Sequence, residues 1–206
     1  PLTSPAAPPS RRSPPPRPPP PNPTAGGGGG SLLGGGECPD AQATLDQTNA
    51  YRRLHGVQPM QWSTSLASAS QAYAEVLAAN QCKLVHASYG ENLAMFSGFP
   101  PPAGDCLSSV VAWYGEVVNY KWNVSQPFRE NWFGKFMIGH FTQLVWKSST
   151  SVGCGIAMGP NPTTLSATRV IPSVCKVIVC RYKPYGNVAA DMDFLKNVFP
   201  ANPDGA

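Results

Sequence analysis

Apolar residues recur with helical spacing in three stretches between positions 40 and 120. A first helix is predicted from Asp40, which can cap it, to about Leu54. A second helix is predicted from Ser63, a good N-cap residue, to about Asn80. Asp105 can cap a third helix, whose apolar face follows the i, i+3, i+4, i+7 pattern: Val110, Trp113, Tyr114 and Val117.

The pattern changes after position 139. A short helix is predicted from apolar residues at i, i+3 and i+4, which are Phe141, Leu144 and Val145. Val152, Cys154 and Ile156 then alternate with small residues, which predicts a strand over 152–158 whose glycines allow close approach of another backbone. A second strand is predicted over 176–182, after a turn at 159–162. Helices before and after a mostly antiparallel sheet give an α+β domain.

The stretch from Asn119 to Gly139 has neither period and is predicted to be an irregular loop. It carries six aromatic residues: Tyr120, Trp122, Phe128, Trp132, Phe133 and Phe136. A loop cannot bury all of them without leaving backbone groups unpaired, so some should line an exposed apolar groove. Asn123-Val124-Ser125 is an N-glycosylation sequon, and a glycan on Asn123 would place that end of the loop in solvent.

Residues 1–36 are of low complexity and are predicted to be a disordered linker before a domain at 37–206. Residues 1–23 hold 12 of the 24 prolines and favour stiff polyproline II, whereas the glycines at 26–30 and 34–36 favour a flexible joint. Two interpretations stay open. The linker is an inert tether, or it attaches the protein to an extracellular matrix such as a cell wall.

Charge argues against nucleic acid as a partner. The formal charge is +4, but Arg11, Arg12 and Arg17 lie in the linker, which leaves 12 basic against 11 acidic residues in the domain. A nucleic-acid binder would concentrate Lys and Arg in a patch, and no such patch is evident. No apolar run approaches the roughly 18 residues that a transmembrane helix needs, and a secretory signal is expected to have been removed or omitted before Pro1.

All six cysteines lie at or after Cys38, and no C-x-x-C pair suggests a zinc or redox site. An even number of cysteines without such a pair predicts disulfides formed in an oxidising, extracellular compartment. The sequence alone allows 15 pairings and does not choose among them.

Several motifs together resemble the CAP superfamily, which comprises the cysteine-rich secretory proteins, the antigen 5 venom allergens and the plant pathogenesis-related class-one proteins. The resemblance spans about 38–200 and rests on stretches in the family's order: Leu84-Val85-His86, Gly90-Glu91-Asn92-Leu93-Ala94, Ala112-Trp113-Tyr114-Gly115-Glu116, the block at 139–155, and the block at 180–187.

The resemblance implies a three-layer α-β-α sandwich and a pocket of two histidines and two glutamates: His86, Glu91, Glu116 and His140. Imidazole and carboxylate groups suit zinc, and carboxylates with water suit magnesium, so a divalent metal at these four residues is one expectation. The alternative is that the four side chains hydrogen-bond to one another and hold the sandwich together. The resemblance also implies disulfides between Cys82 and Cys154 and between Cys175 and Cys180, which leaves Cys38 with Cys106.

Three functions remain open for a secreted monomer of this kind. The first is a sterol or other lipid-binding protein in defence or the extracellular matrix, with Trp122, Phe128, Trp132 and Phe133 as the lipid-binding loop. The second is a metal-assisted, protease-like hydrolase that uses the histidine and glutamate pocket. The third is a structural cell-wall protein. Because no H-E-x-x-H motif or serine with a clear base is present, an enzyme is the less favoured expectation.

Overall fold

The computed structural model describes residues 33–166 and 168–202. Most of the predicted linker, including all of its prolines, therefore lies outside the described residues. Residues 33–36, predicted as its flexible end, instead contact the domain: the indole Nε1 of Trp62 donates to the carbonyl of Gly34 at 3.0 Å.

Six α-helices, one 3-10 helix and six strands make up the described part of the chain. In order they are α1 (Ala41–Leu54), β1 (Gln61–Trp62), α2 (Thr64–Ala79), β2 (Glu91–Gly98), α3 (Cys106–Tyr114), a 3-10 helix (Gly115–Asn119), α4 (Pro127–Trp132), α5 (Gly139–Leu144), β3 (Ser151–Pro160), β4 (Thr163–Ser166), β5 (Arg169–Ile171), β6 (Val174–Lys183) and α6 (Asp191–Asn197). The predicted strands at 152–158 and 176–182 are confirmed as the longer β3 and β6. A β4–β5 hairpin stands where a simple turn was predicted.

The central sheet has the strand order β1-β3-β6-β2. Only the β1–β3 pair is parallel, and β6 pairs antiparallel with both β3 and β2. Side chains alternate between the two faces of β6. Val177 and Val179 pack toward α2, whereas Ile178, Cys180 and Tyr182 join the core with α1, α3 and α5. Both faces are therefore covered, which confirms the α-β-α sandwich.

Local capping accounts for α2 and α3. The hydroxyl of Ser63 accepts the amide N–H of Leu66 at 3.3 Å, and the carboxylate of Asp105 accepts that of Ser108 at 2.7 Å, as predicted. Asp40 precedes α1 but does not cap it with its side chain. Its Oδ2 instead accepts the amide N–H of Leu107, so this carboxyl supports α3.

The stretch predicted as an irregular loop contains α4. Pro127 stands in the first turn of that helix, where the lack of an N–H costs nothing. The buried side chain of Asn131 accepts the amide N–H of Lys121 at 2.6 Å and donates to its carbonyl at 3.2 Å. The helix is thereby held against the preceding segment.

The disulfides join Cys38 to Cys106, Cys82 to Cys175 and Cys154 to Cys180. The implied Cys82–Cys154 and Cys175–Cys180 bonds are therefore wrong. Cys175 and Cys180 are five residues apart on β6, so their Cα atoms are about 17 Å apart and their side chains point to opposite faces. Cys175 faces α2 and Cys82, whereas Cys154 lies directly opposite Cys180 in the β3–β6 register.

Helix α2 packs closely on β3 because that strand lacks side chains where the two meet. A Cβ atom at Gly155 would lie 2.3 Å from the backbone nitrogen of Gln71. One at Gly153 would lie 2.2 Å from the nitrogen of Ala67, and one at Gly159 would lie 1.9 Å from the carbonyl oxygen of Ala78. The predicted role of the strand glycines in close backbone approach is confirmed.

Arg52 of α1 fixes the end of α5 from within the core. Its side chain is fully buried, and its guanidinium donates to the carbonyls of Leu144, Trp146 and Ser149 at 3.0, 2.8 and 2.9 Å. Burial lowers the pKa of Arg52 to about 10, which leaves it charged at neutral pH. The charge is balanced by the dipoles of these carbonyl groups.

His55, just after α1, joins the C-terminal segment to α3. Its Nδ1 donates to the carbonyl of Phe199 at 2.6 Å, and its Nε2 lies 3.1 Å from the hydroxyl of Tyr114. The carbonyl can only accept, so Nδ1 carries the proton and Nε2 of the neutral ring accepts from the tyrosine. Burial lowers the pKa of His55, although the bond to Phe199 opposes this.

Candidate functional site

A cavity of about 700 Å³ opens where β2, α5 and the segments before and after them meet. One wall is the chain from His86 to Asn92, and another consists of Trp132 and the segment from Phe136 to His140. The remaining lining residues are Gln143, Gly186, Asn187 and Ala189. Apolar side chains dominate the outer part, and the histidines and carboxylate of the lining are His86, His140 and Glu91.

His86 and Glu91 form one hydrogen-bonded pair. Gly90, at φ +68°, turns the chain so that Glu91 opens β2 with its carboxylate buried. Oε1 accepts Nδ1–H of His86 at 3.2 Å and the amide N–H of Ala87 at 3.1 Å, and Oε2 accepts Nε–H of Arg181 at 2.9 Å. Burial alone would raise the pKa of Glu91, but these bonds lower it below its usual value, so the group is a carboxylate.

His140 and Glu116 form the second pair. Glu116 belongs to the 3-10 helix after α3, and His140 stands in the first turn of α5. Nδ1 of His140 lies 2.6 Å from Oε1 of Glu116, whose Oε2 accepts the amide N–H groups of His140 and Phe141 at 3.0 and 3.1 Å. The indole of Trp113 stacks on the His140 ring at 5.7 Å.

The structure groups the four residues as two His–Glu pairs, and the divalent metal expected at them stays a prediction. Among the described residues, no three His, Cys, Asp or Glu side chains are arranged to hold a metal ion. Both carboxylates are hydrogen-bonded, Glu91 to the side chains of His86, Ser88 and Arg181 and to the amide of Ala87, and Glu116 to two amides and the His140 ring. Each histidine donates Nδ1–H to its glutamate and keeps Nε2 free of that bond.

The four predicted lipid-binding residues are dispersed. Trp132 lines the cavity. Phe128 lies beneath it and packs against Phe194 of α6 at 5.4 Å between ring centroids. Phe133 is exposed beside the cavity but is not part of its lining. Trp122 lies away from the cavity, 6.2 Å from both the His55 and Phe141 rings, and lines a separate cleft of about 230 Å³ against α6.

Sequence reasoning missed several residues that line the cavity. Phe136 carried a signal, since it belongs to the aromatic run, but Met137 and Tyr89 carried none. Asn187 was noted only as part of a motif. Its side chain ties the wall to α5 by donating to the carbonyl of Gly139 and accepting from the hydroxyl of Thr142, each at 2.7 Å.

Comparison with known proteins identifies the family. The model of the cysteine-rich secretory protein family, CAP, matches residues 45–182. The chain therefore belongs to the CAP family, as its motifs indicated. No helix among the described residues is long and apolar enough to cross a membrane.

Two relatives illustrate the spread of the family. The chain is 36% identical over 169 residues to the Candida albicans protein called Repressed by EFG1 protein 1, across 78% of this chain and 54% of that protein. It is 34% identical over 151 residues to pathogenesis-related protein 1 of Arabidopsis thaliana, across 69% of this chain and 79% of that protein. The chain thus spans about half the length of the Candida relative.

A likeness to solved structures supports the fold. The structure called BmVAL-1 matches with a TM-score of 0.56 and 20% identity, over 85% of this chain and 86% of that one. At this identity the likeness concerns the architecture alone.

Proposed function

We propose that this protein binds a sterol or another lipid with a single polar end in the cavity beside His86 and His140. The observation that carries the proposal is the cavity itself. Its volume of about 700 Å³ lies within the range of roughly 300–1,000 Å³ that is usual for ligand pockets. Its outer wall carries Trp132, Phe136 and Met137.

The polar groups at the inner wall suit such a ligand. Nδ1 of each histidine is used by a glutamate, so each Nε2 is left as an acceptor of a hydrogen bond. A sterol hydroxyl or a protonated fatty-acid carboxyl is a matching donor. The rigid His–Glu pairs would therefore orient one end of the lipid while the apolar wall covers its body.

Family and chemistry support an extracellular, defence-related role. Three disulfides favour an oxidising compartment. The Arabidopsis relative is named a pathogenesis-related protein. Attachment to a cell wall through the Pro-rich segment belongs to the same proposal and concerns residues outside those described.

N-glycosylation of Asn123 follows from this location. The side chain is exposed and the residue has φ +60°, a turn conformation that asparagine tolerates. We expect protein secreted from a eukaryotic host to lose the mass of one N-glycan on treatment with a peptide N-glycosidase. Ser125→Ala should abolish that mass shift, and an unmodified Asn123 in secreted protein would contradict the expectation.

Binding assays on three variants test the lipid proposal. Trp132→Ala removes a ring from the cavity, and losing about 1.5–3 kcal/mol of apolar burial weakens affinity roughly tenfold to a hundredfold. Trp122→Ala is the matched control, because that indole lies outside the cavity and should leave the affinity unchanged. Both would be measured with a fluorescent sterol and a fluorescent fatty acid, after circular dichroism shows folded protein.

His140→Gln separates lipid binding from hydrolysis. A lipid binder should lose at most the hydrogen bond to Nε2, roughly tenfold in affinity or less, whereas a hydrolase should lose its turnover of esters and peptides. Wild-type protein that takes up neither sterol nor fatty acid would overturn the proposal.

A further inference from the structure

The mouth of the cavity is surrounded by an exposed apolar rim. Four large apolar side chains lie within six residues and are strongly exposed: Trp132 at 41%, Phe133 at 77%, Phe136 at 59% and Met137 at 67%. No other six-residue stretch of the described chain exposes as many. Tyr89, at 86%, and Tyr185, at 52%, pack together nearby with ring centroids 5.5 Å apart, and Tyr89 also lines the cavity. These six residues are the rim.

The rim is held outward by packed structure. Phe128 lies under both Phe133 and Trp132, with ring centroids 5.7 Å apart in each case, and it packs on Phe194 of α6. The amide of Asn119 donates to the carbonyl of Met137 at 3.3 Å. The apolar side chains are therefore presented to solvent from a fixed base. An exposed patch of this kind marks an interaction surface.

The composition of the rim is that of a membrane interface. Trp and Tyr prefer the headgroup level of a bilayer, and Phe and Met insert below it. Between positions 119 and 139 the basic residues are Lys121, Arg129 and Lys135, against the single acid Glu130. Asp191 offsets Arg129 at 3.6 Å, which leaves a modest positive excess. Lys135 lies 5.6 Å from the centre of the Phe136 ring, so a charge for anionic headgroups sits within the rim.

We propose that the rim docks the protein on the surface of a bilayer that contains anionic lipids, with the mouth of the cavity against the membrane. A lipid then passes between bilayer and cavity without crossing water. The transfer of a lipid into the cavity rests on the proposed lipid-binding function, whereas docking on the bilayer does not require it.

Phe133 allows docking to be tested apart from ligand binding, because it belongs to the rim and not to the cavity lining. The matched control is Phe99, which is 67% exposed just after the end of β2. Glu91 at the start of β2 lines the cavity, and the seven steps from Glu91 to Gly98 span roughly 24 Å, so Phe99, the next residue, lies far from that wall. Phe133→Ser and Phe99→Ser remove the same apolar surface at the two places.

The assay is flotation of the full chain with vesicles of phosphatidylcholine, alone or with phosphatidylserine. Wild-type protein should float with the phosphatidylserine vesicles, and added salt should weaken the binding. Phe133→Ser should bind roughly tenfold more weakly, as expected for one apolar ring, whereas Phe99→Ser should bind like wild type. Lys135→Glu should reduce binding to the phosphatidylserine vesicles specifically.

Three results would overturn the docking inference: no flotation of wild-type protein, equal effects of the two phenylalanine substitutions, or a dimer in sedimentation velocity that Phe133→Ser abolishes while vesicles stay unbound. Sterol uptake from cyclodextrin is measured in parallel. Phe133→Ser that still takes up sterol but no longer floats separates docking from cargo binding. Flotation without any uptake of sterol or fatty acid would sustain docking and overturn the proposed function.

Discussion

Gly155→Ala should destabilise the protein strongly, because the added methyl group has no space between β3 and α2. Its carbon would lie 2.3 Å from the backbone nitrogen and 2.4 Å from the Cα of Gln71. Unstrained contacts are about 3.5–4.0 Å, so the helix would have to retreat by more than about 1 Å. Gln71 resists this movement because its side chain bonds Ile156 on the same strand twice, each at 3.0 Å.

The expected loss follows from the cost of overpacking. Overpacked cores lose about 1–3 kcal/mol and sometimes more, and the obstacle here is backbone, so we expect about 3 kcal/mol or above. For a domain of this size, that lowers the melting temperature by roughly 6–12 °C. Differential scanning calorimetry of the oxidised protein measures the change.

Gly115→Ala is the matched control. Gly115 has φ −55° and ψ −22°, which any residue adopts, and a Cβ there would meet nothing within 4 Å. The same substitution should therefore stabilise the folded protein by about 0.4–1 kcal/mol, because alanine lowers the conformational entropy of the unfolded chain. Equal melting temperatures for the two variants would refute the close packing of α2 on β3.

Two further predictions concern stability. Replacing Cys82 and Cys175 by alanine opens a loop of 93 residues, against 26 for Cys154 and Cys180, so the chain-entropy model predicts a loss larger by about 1 kcal/mol for the first pair. Thermal unfolding of the two double variants checks this order, and the reverse order would contradict the model. Burial lowers the pKa of His55 in the folded state, so the unfolded chain binds more protons as the pH falls through about 6.5. The free energy of unfolding should therefore fall from pH 7.5 to 5.5, and His55→Gln should reduce this slope in urea titrations; an unchanged slope would assign the pH dependence to other groups.

The parts of the fold that the sequence predicted depend on neighbours along the chain. Ser63 and Asp105 cap helices within three residues, and the alternation in β3 is read directly from its glycines. Asp40 has the same local signature, yet its carboxylate reaches Leu107, 67 positions away. No local pattern distinguishes these two uses of an aspartate.

The candidate site divides in the same way. His86, Glu91 and His140 follow from motifs and do line one cavity, but the pairing of His140 with Glu116 depends on how α5 packs against the 3-10 helix. The Cys154–Cys180 bond depends on the register of β3 with β6, and a sequence that allows 15 pairings does not reveal that register. Met137 lies in no periodic pattern, and it lines the cavity only because the fold places the opposite wall across from it.

The contacts of residues 34–37 with the domain determine which bonds would bear a pulling force applied to the preceding segment. The indole of Trp62 on β1 donates to the carbonyl of Gly34, and the amide of Glu37 donates to the side chain of Gln71 on α2 at 3.0 Å. A pulling force would therefore first act on these two hydrogen bonds to β1 and α2. The next residue, Cys38, is covalently joined to Cys106 at the start of α3. Tension on a tether attached there would pass through a covalent bond into the helical layer before it could unwind α1. A protein anchored by its N-terminal segment would therefore bear mechanical load at that bond.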